Sequence, residues 1–398
     1  MNRREFLSSS VLVGGAVSIS SPGAVAASEP TVSSFDPWVE IHQENLRHNV
    51  DQISRRAGGR PILAVIKNNG YGMGIANVAR LLEPSSAIHG FATVKLQEAV
   101  AVRDSGVEKP ILLMGPFDEA GLREAVHRRI TPMVYTPIGD LLDRLAAERQ
   151  SAVGIHVCVD TGIGRVGVPH KVAGALVRDL ARRSSVRIEG TMMTFAEDAQ
   201  LDEDQKSRFD ALCSELASAG VELGRRHAAS SFALFQHPDY FLDMVRPGMA
   251  IYGVYSEQEF RGSDSLELRP ALALKARVAY VKKLGEGDSA GYSRAYVAKS
   301  PVWVATLPLG HTDGLPRAAA NTAKVRIGDR LYPIVASISA SHTIVEIGPE
   351  KSVEIGDEAT LFDWRAGSRP EDVSADSGAS VYDLTMHLNP LLPRKILG

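Results

Sequence analysis

Lys67 closes an apolar run, ILAVI (62–66), and a glycine-rich turn with one phenol, NNGYG (68–72), follows at once. A lysine at the end of a buried strand can lose its proton, because burial disfavours the ammonium form. A neutral amine there can form a Schiff base with an aldehyde. The bland reading is a lysine that snorkels from the strand end to solvent. Two distant stretches bear on the choice. HAASS (227–231) and VRPGMAIYG (245–253) offer hydroxyls and backbone amides beside glycine, groups that cradle a phosphate without fixed charge. A reactive lysine beside such a cradle points to pyridoxal 5'-phosphate, a phosphorylated aldehyde.

These residues need a scaffold that brings the ends of several strands together. Eight short β-rich runs supply one: residues 62–66, 90–94, 111–115, 132–135, 155–160, 188–194, 226–230 and 249–253. Segments with apolar residues at helical spacing separate them, as in IGDLLDRLAAERQ. Strands apolar on both faces that alternate with helices indicate a parallel sheet covered by helices. The expected fold class is α/β, a TIM-like (β/α)8 barrel over residues 30–265, with the active site at the C-terminal strand ends. A doubly wound open sheet is the competing arrangement. Beyond about residue 265 the texture turns to strands and Gly/Asp turns, predicting a mostly β domain over 266–398.

The chain has 398 residues, 44% hydrophobic and 23% charged, with a formal net charge of −3. That is length for two domains, and the balance gives no sign of a nucleic-acid partner. Two cysteines, Cys158 and Cys213, make neither a disulfide framework nor a zinc pattern. The first 26 residues differ from the rest. A short basic start, a modest apolar run and the small residues Ala24-Val25-Ala26 make a cleavable signal peptide, and Arg3-Arg4 followed by Glu5-Phe6-Leu7 looks like a twin-arginine signal. The expectation is export to the periplasm or beyond in the folded state, with cofactor loaded beforehand. No later stretch is apolar enough for a membrane helix.

The chain resembles the alanine racemase family, pyridoxal-phosphate enzymes with a barrel joined to a β domain. AVIKNNGYGMG resembles the family's lysine signature. VDTGIGRVG (159–167), HAASSFAL (227–234), VRPGMAIYG, GDSAGYSRAYVAKSPVWVATLPLGHTDGLPR (287–317) and VEIG (345–348) follow in the family's order. The resemblance implies an amino-acid racemase working by two-base proton transfer at Cα. Lys67 would hold the cofactor and serve as one base. Tyr292 would be the other, supplied by the partner subunit of a homodimer. Arg165 would meet the substrate carboxylate, and Arg246 would face the pyridine nitrogen. Tyr71, Ser231, Gly248 and Met249 fall where the family holds the phosphate. Without the resemblance, Tyr292 reads equally as interface packing, Arg165 and Arg246 as barrel-end ion pairs, and Ser231 as a helix cap.

Several family positions are filled differently. The lysine before VDTG is Cys158, the histidine of T-H-F is Thr194, the gate tyrosine is His311, and the C-M-D-Q loop reads Ser339-Ala340-Ser341-His342. The cofactor machinery and both bases stay, while the substrate side changes. Ala340 for methionine removes bulk, and Ser341 for aspartate removes a negative charge. The expected substrate range is therefore broader than, or shifted from, alanine. A lyase, decarboxylase or epimerase on the same scaffold is the alternative, as is a cofactor-binding relative without turnover.

Overall fold

The computed structural model describes residues 35–398. The expected signal peptide lies outside them. Among the described residues no helix is long and apolar enough to cross a membrane.

The barrel strands are β2 (Ile62–Val65), β3 (Ile88–Thr93), β4 (Ile111–Leu113), β5 (Ile130–Val134), β6 (Val153–Asp160), β8 (Val186–Met192) and β9 (Arg225–His227), all parallel in that order, with a two-residue β7 (Val168–Pro169) beside β6. All four residues of β2 are buried, as a strand packed between a barrel core and a helical coat requires. Helices return the chain after the strands up to β8, and short 3-10 turns do so after β9. Two of them begin on an aspartate whose side chain accepts a free N–H of the first turn, Asp118 from Gly121 and Asp198 from Leu201.

The eighth stave is not where the sequence reading placed it. Residues 249–253 were expected as a strand, but Met249–Tyr252 is a buried 3-10 turn. Asn49, on the helix Gln43–Arg56, donates to the carbonyl of Ile251 at 3.1 Å, an acceptor that a strand would have offered to its neighbour. The barrel closes instead through Met244 and Val245, which bridge His227 and Ile62 in parallel.

The second part is a nine-stranded sheet. It is built from β1 (Trp38–His42), β10 (Leu272–Arg277), β11 (Tyr280–Leu284), β14 (Val302–Leu307), β15 (Lys324–Ile327), β16 (Arg330–Val335), β17 (Thr343–Gly348), β18 (Glu358–Phe362) and β19 (Arg394–Leu397). A small ribbon, β12 (Ser289–Ala290) with β13 (Tyr296–Val297), stands apart from it. Residues 38–42, counted with the barrel region on sequence, belong to this sheet. β1 pairs antiparallel with β10 and parallel with β19. Lys275 on β10 bonds Glu40 on β1 at 2.8 Å and Glu358 on β18 at 2.7 Å, so a paired cation ties three strands. Two short helices, Pro370–Ser377 and Val381–Met386, precede β19.

Candidate active site

Lys67 follows β2 by one residue, so the barrel delivers its amine to the C-terminal mouth. The backbone then does something unusual. Asn68, Asn69, Gly70 and Tyr71 have φ of 53°, 56°, 61° and 51°, a full left-handed turn. Each non-glycine residue so placed costs roughly 1–2 kcal/mol, and asparagine tolerates it best. The turn is held by local bonds: the Gly70 amide donates to Ile66 O at 3.0 Å and the Gly74 amide to Asn69 O at 2.9 Å. Glu98 adds a carboxylate that accepts from the Asn69 amide at 3.1 Å. Burial depresses the Lys67 ammonium below its ordinary value, nearby Arg165 depresses it further, and Glu98 acts in the opposite direction. The first requirement of a reactive amine is met.

The turn aims Tyr71 into the barrel end, where its ring stacks on Tyr252 with centroids 4.6 Å apart. Burial pushes the Tyr71 phenol well above its ordinary value, so it remains a donor at every physiological pH. Its hydroxyl lies against Gly248: a β-carbon there would come within 2.2 Å of it. Ser231 Oγ completes the cluster by accepting from the Gly248 amide at 3.0 Å and the Ala250 amide at 3.1 Å. Met249 opens the 3-10 turn, where the first N–H groups of a helical segment have no partner within it. Hydroxyls of Tyr71 and Ser231 thus converge with backbone amides on a spot that excludes a side chain. This cradle fits the phosphate of pyridoxal 5'-phosphate, and Lys67 stands at the start of the same turn.

Arg246 is 5% exposed, and four acceptors share its guanidinium. It donates to His227 Nδ1 at 2.9 Å, Met193 O at 2.8 Å, Ala228 O at 3.2 Å and Thr194 Oγ1 at 3.4 Å. Burial lowers it to about 10, which leaves it a cation at neutral pH. An always-donating arginine fixes the ring beside it: His227 must accept at Nδ1 and carry its proton on Nε2, which donates to His156 Nδ1 at 2.8 Å. Burial, then Arg246, holds His227 neutral. Gly190 makes room for this pair, since a β-carbon there would lie 2.7 Å from His156. Thr194, where the family has histidine, joins the arginine cluster.

Arg165 is exposed on the loop after β6, which Asp160 braces by accepting from the amides of Gly162 at 2.9 Å and Gly164 at 3.2 Å. Cys158 is buried, with its thiol pushed up to about 11 by burial, in keeping with a small packing residue.

The remaining expected residues form a second group on the β domain. Tyr292 is 75% exposed in the loop between β12 and β13. No hydrogen bond joins it to Lys67, Tyr71 or Arg165 within the chain. Ala340 sits in an exposed turn closed by the Ser339 and His342 backbones, and its carbonyl accepts from Thr312 Oγ1 at 2.7 Å. His311 donates its amide to Ser339 O at 3.0 Å, so His311 and Ser339–His342 make one patch. Gly291, beside Tyr292, packs against Ala336 and Ser337. The expected residues therefore fall in two groups: Lys67, Tyr71, Arg165, Ser231, Arg246, Gly248 and Met249 on the barrel, and Tyr292 and Ala340 on the β domain.

Sequence reasoning missed two residues at the barrel mouth. Glu98 bears no motif, and only its position soon after β3 hinted at a strand-end role. Tyr382 comes from near the C-terminus. Its phenol is pushed up to about 12 by burial and then by Glu197 and Glu257, and it lies close enough to Tyr71 to raise that phenol as well.

The family model for the alanine racemase N-terminal domain matches residues 41–256, and that for the C-terminal domain matches residues 271–396. The chain is 32% identical over 370 residues to an alanine racemase of Desulforamulus reducens, covering 91% of this chain and 99% of that one. It is 34% identical over 356 residues to an alanine racemase of Symbiobacterium thermophilum, covering 87% and 92%. Among solved structures it resembles alanine racemase of Clostridium difficile 630, with a TM-score of 0.85 at 26% identity over 93% of this chain and 97% of that one. The alanine racemase of Bacillus anthracis with bound L-Ala-P gives a TM-score of 0.83 at 25% identity, covering 93% and 96%.

Proposed function

The chain belongs to the alanine racemase family and is a pyridoxal-phosphate-dependent amino-acid racemase, and from that premise we propose how its residues divide the work and which substrates they take. Bound pyridoxal phosphate would supply an electron sink that makes a substrate Cα proton acidic. Lys67 would hold the cofactor and, with its depressed pKa, take or return the Cα proton on one face. Tyr292 of a partner subunit would do so on the other. Arg165 would receive the substrate carboxylate, and Arg246, a buried cation, would keep the ring nitrogen from gaining a proton. Tyr71, Ser231 and the Met249 amide would hold the phosphate, with Gly248 leaving room for it.

The observation that carries the two-subunit reading is the split of the site. Tyr292 is 75% exposed in the loop between β12 and β13 and makes no hydrogen bond within the chain to Lys67, Tyr71 or Arg165. A homodimer in which each β domain covers the other barrel joins the halves.

The proposed substrate range is wider than alanine. Ala340 and Ser341 present only a methyl and a small hydroxyl where the family has methionine and aspartate, leaving room for longer side chains and removing a charge that repels anionic ones. The test is Cα deuteration and D-enantiomer formation from L-alanine, L-lysine, L-arginine and L-glutamate in D2O. Racemisation of at least one longer substrate at a rate comparable to alanine is expected. Turnover of alanine alone sinks the broadened range, and deuteration without D-product points to a one-base reaction. Export by the twin-arginine route is proposed on Arg3-Arg4. Replacing both with lysine should keep the activity inside the cytoplasm on cell fractionation, and unchanged export would overturn it.

A further inference from the structure

The strained turn that carries Lys67 and Tyr71 is not held by the barrel alone. The last elements of the chain reach it. Arg394, at the start of β19, donates to the Gly72 carbonyl twice, from Nη2 at 2.8 Å and Nε at 3.1 Å. Its third nitrogen, Nη1, donates to Asn389 O and Pro390 O at 2.8 Å each, and to Leu392 O. All three guanidinium nitrogens are spent on carbonyls, and among the described residues no carboxylate pairs with the charge. Arg394 therefore acts as a fork between the residue after Tyr71 and the segment just before β19.

The helix Val381–Met386 closes the same turn from another side. Asn68 Nδ2 lies 3.0 Å from Met386 Sδ. Gly72, with φ of 84°, has no space for a side chain, since a β-carbon would sit 2.2 Å from Thr385 O and 2.9 Å from Leu388 Cδ1. Tyr382 on that helix faces the Tyr71 phenol electrostatically. Its far anchor is β19, which pairs in parallel with β1, from Val39 opposite Arg394 to His42 opposite Leu397. The arm is thus fixed to the sheet at one end and to the turn at the other.

A left-handed run containing three non-glycine residues relaxes unless something outside it opposes the relaxation. We propose that residues 381–397 form a clamp that holds the Asn68–Tyr71 turn in its left-handed form, with Arg394 as the positioning residue that sets the Tyr71 hydroxyl in the phosphate cradle and the Lys67 amine at its mouth. The clamp rests on the reading that Lys67 binds the cofactor, but it makes a separate claim about the turn. It also means that the turn is held only when β19 has paired with β1.

The test uses the holoenzyme and two readouts: the affinity for pyridoxal phosphate, followed by the visible absorbance of the lysine-bound cofactor, and hydrogen exchange at the amides of Gly70, Gly72 and Gly74. Arg394→Gln should weaken cofactor affinity about 10- to 100-fold, the worth of about one hydrogen bond from a charged donor, since both bonds share the Gly72 carbonyl, and should speed exchange at the three amides. Arg394→Lys, a point charge without the fork, should recover only a minor part. Asn68→Gly in the Arg394→Gln background should restore most of the affinity, because glycine adopts the left-handed form without strain. Unaltered affinity and exchange in Arg394→Gln would overturn the clamp, and so would a loss that Asn68→Gly fails to repair. If the wild-type protein shows no lysine-bound cofactor, the functional reading fails, and the exchange data still decide the clamp.

Discussion

Replacing Lys67 with alanine is expected to abolish the visible absorbance of bound pyridoxal phosphate and to lower racemisation in both directions by about 10³-fold or more. Two losses combine: the covalent anchor disappears, and one face of Cα loses its base. Lys67→Arg should do no better, because a guanidinium cannot surrender its proton in a protein. Added methylamine should recover part of the activity of Lys67→Ala, by standing in for the missing amine, and none of the activity of the arginine variant. The amine attacks only as the free base, so the rate at which apoenzyme takes up cofactor should rise with pH through the folded-state pKa of Lys67. That pKa is depressed by burial and by Arg165, so the midpoint should fall below the ordinary lysine value of 10.5. Glu98 opposes the shift, and Glu98→Gln should move the midpoint lower still. Arg165→Gln should move it up. A full-strength holoenzyme spectrum in Lys67→Ala, or a pH midpoint at the unperturbed value, would remove Lys67 from this role.

The sequence made the barrel half of this site legible because each member lies at a strand end or beside glycine. Lys67 ends an apolar run, and in a barrel that alone places it at the mouth. Ser231 and Gly248 lie 17 residues apart, each just past the end of one of two neighbouring staves, so the cradle followed once the staves were counted. The count itself contained an error: MAIYG has strand composition, yet Gly248 and Gly253 bracket it as a turn and Asn49 takes its carbonyl. Propensity lost there to a buried side-chain bond formed about two hundred residues away in sequence. The same blindness hid β1. WVEIH is a plausible strand anywhere, and only its pairing with β10 and β19 assigns it to the second sheet. Glu98, Tyr382 and Arg394 were invisible for a related reason. They act on the Lys67 turn through contacts with no local pattern, and the left-handed turn itself shows in sequence only as two asparagines before a glycine.

If the proposed homodimer forms, mixed dimers carry the other large effect. Tyr292→Phe keeps the ring and removes the hydroxyl, so a homodimer of that variant should lose proton exchange on one face and fall about 10²- to 10⁴-fold in racemisation, the usual worth of one positioned base. Lys67→Ala homodimers should be inactive as well. If Tyr292 serves the barrel of its partner, a heterodimer of the two variants contains one intact site, made of the Lys67 of one chain and the Tyr292 of the other, and one site lacking both. Random reassortment makes about half of the dimers mixed, each with one working site in two, so about one quarter of wild-type activity should return on mixing. If Tyr292 instead reached its own barrel, every site would keep one defect and nothing would return. The exposure of Tyr292 in the single chain favours the first outcome. The same mixing experiment with a chain that also carries Ala340→Met would show whose loop selects the substrate. A return of activity restricted to alanine when that change is placed on the chain supplying Tyr292, and unrestricted when it is placed on the other, would assign base and loop to the same subunit.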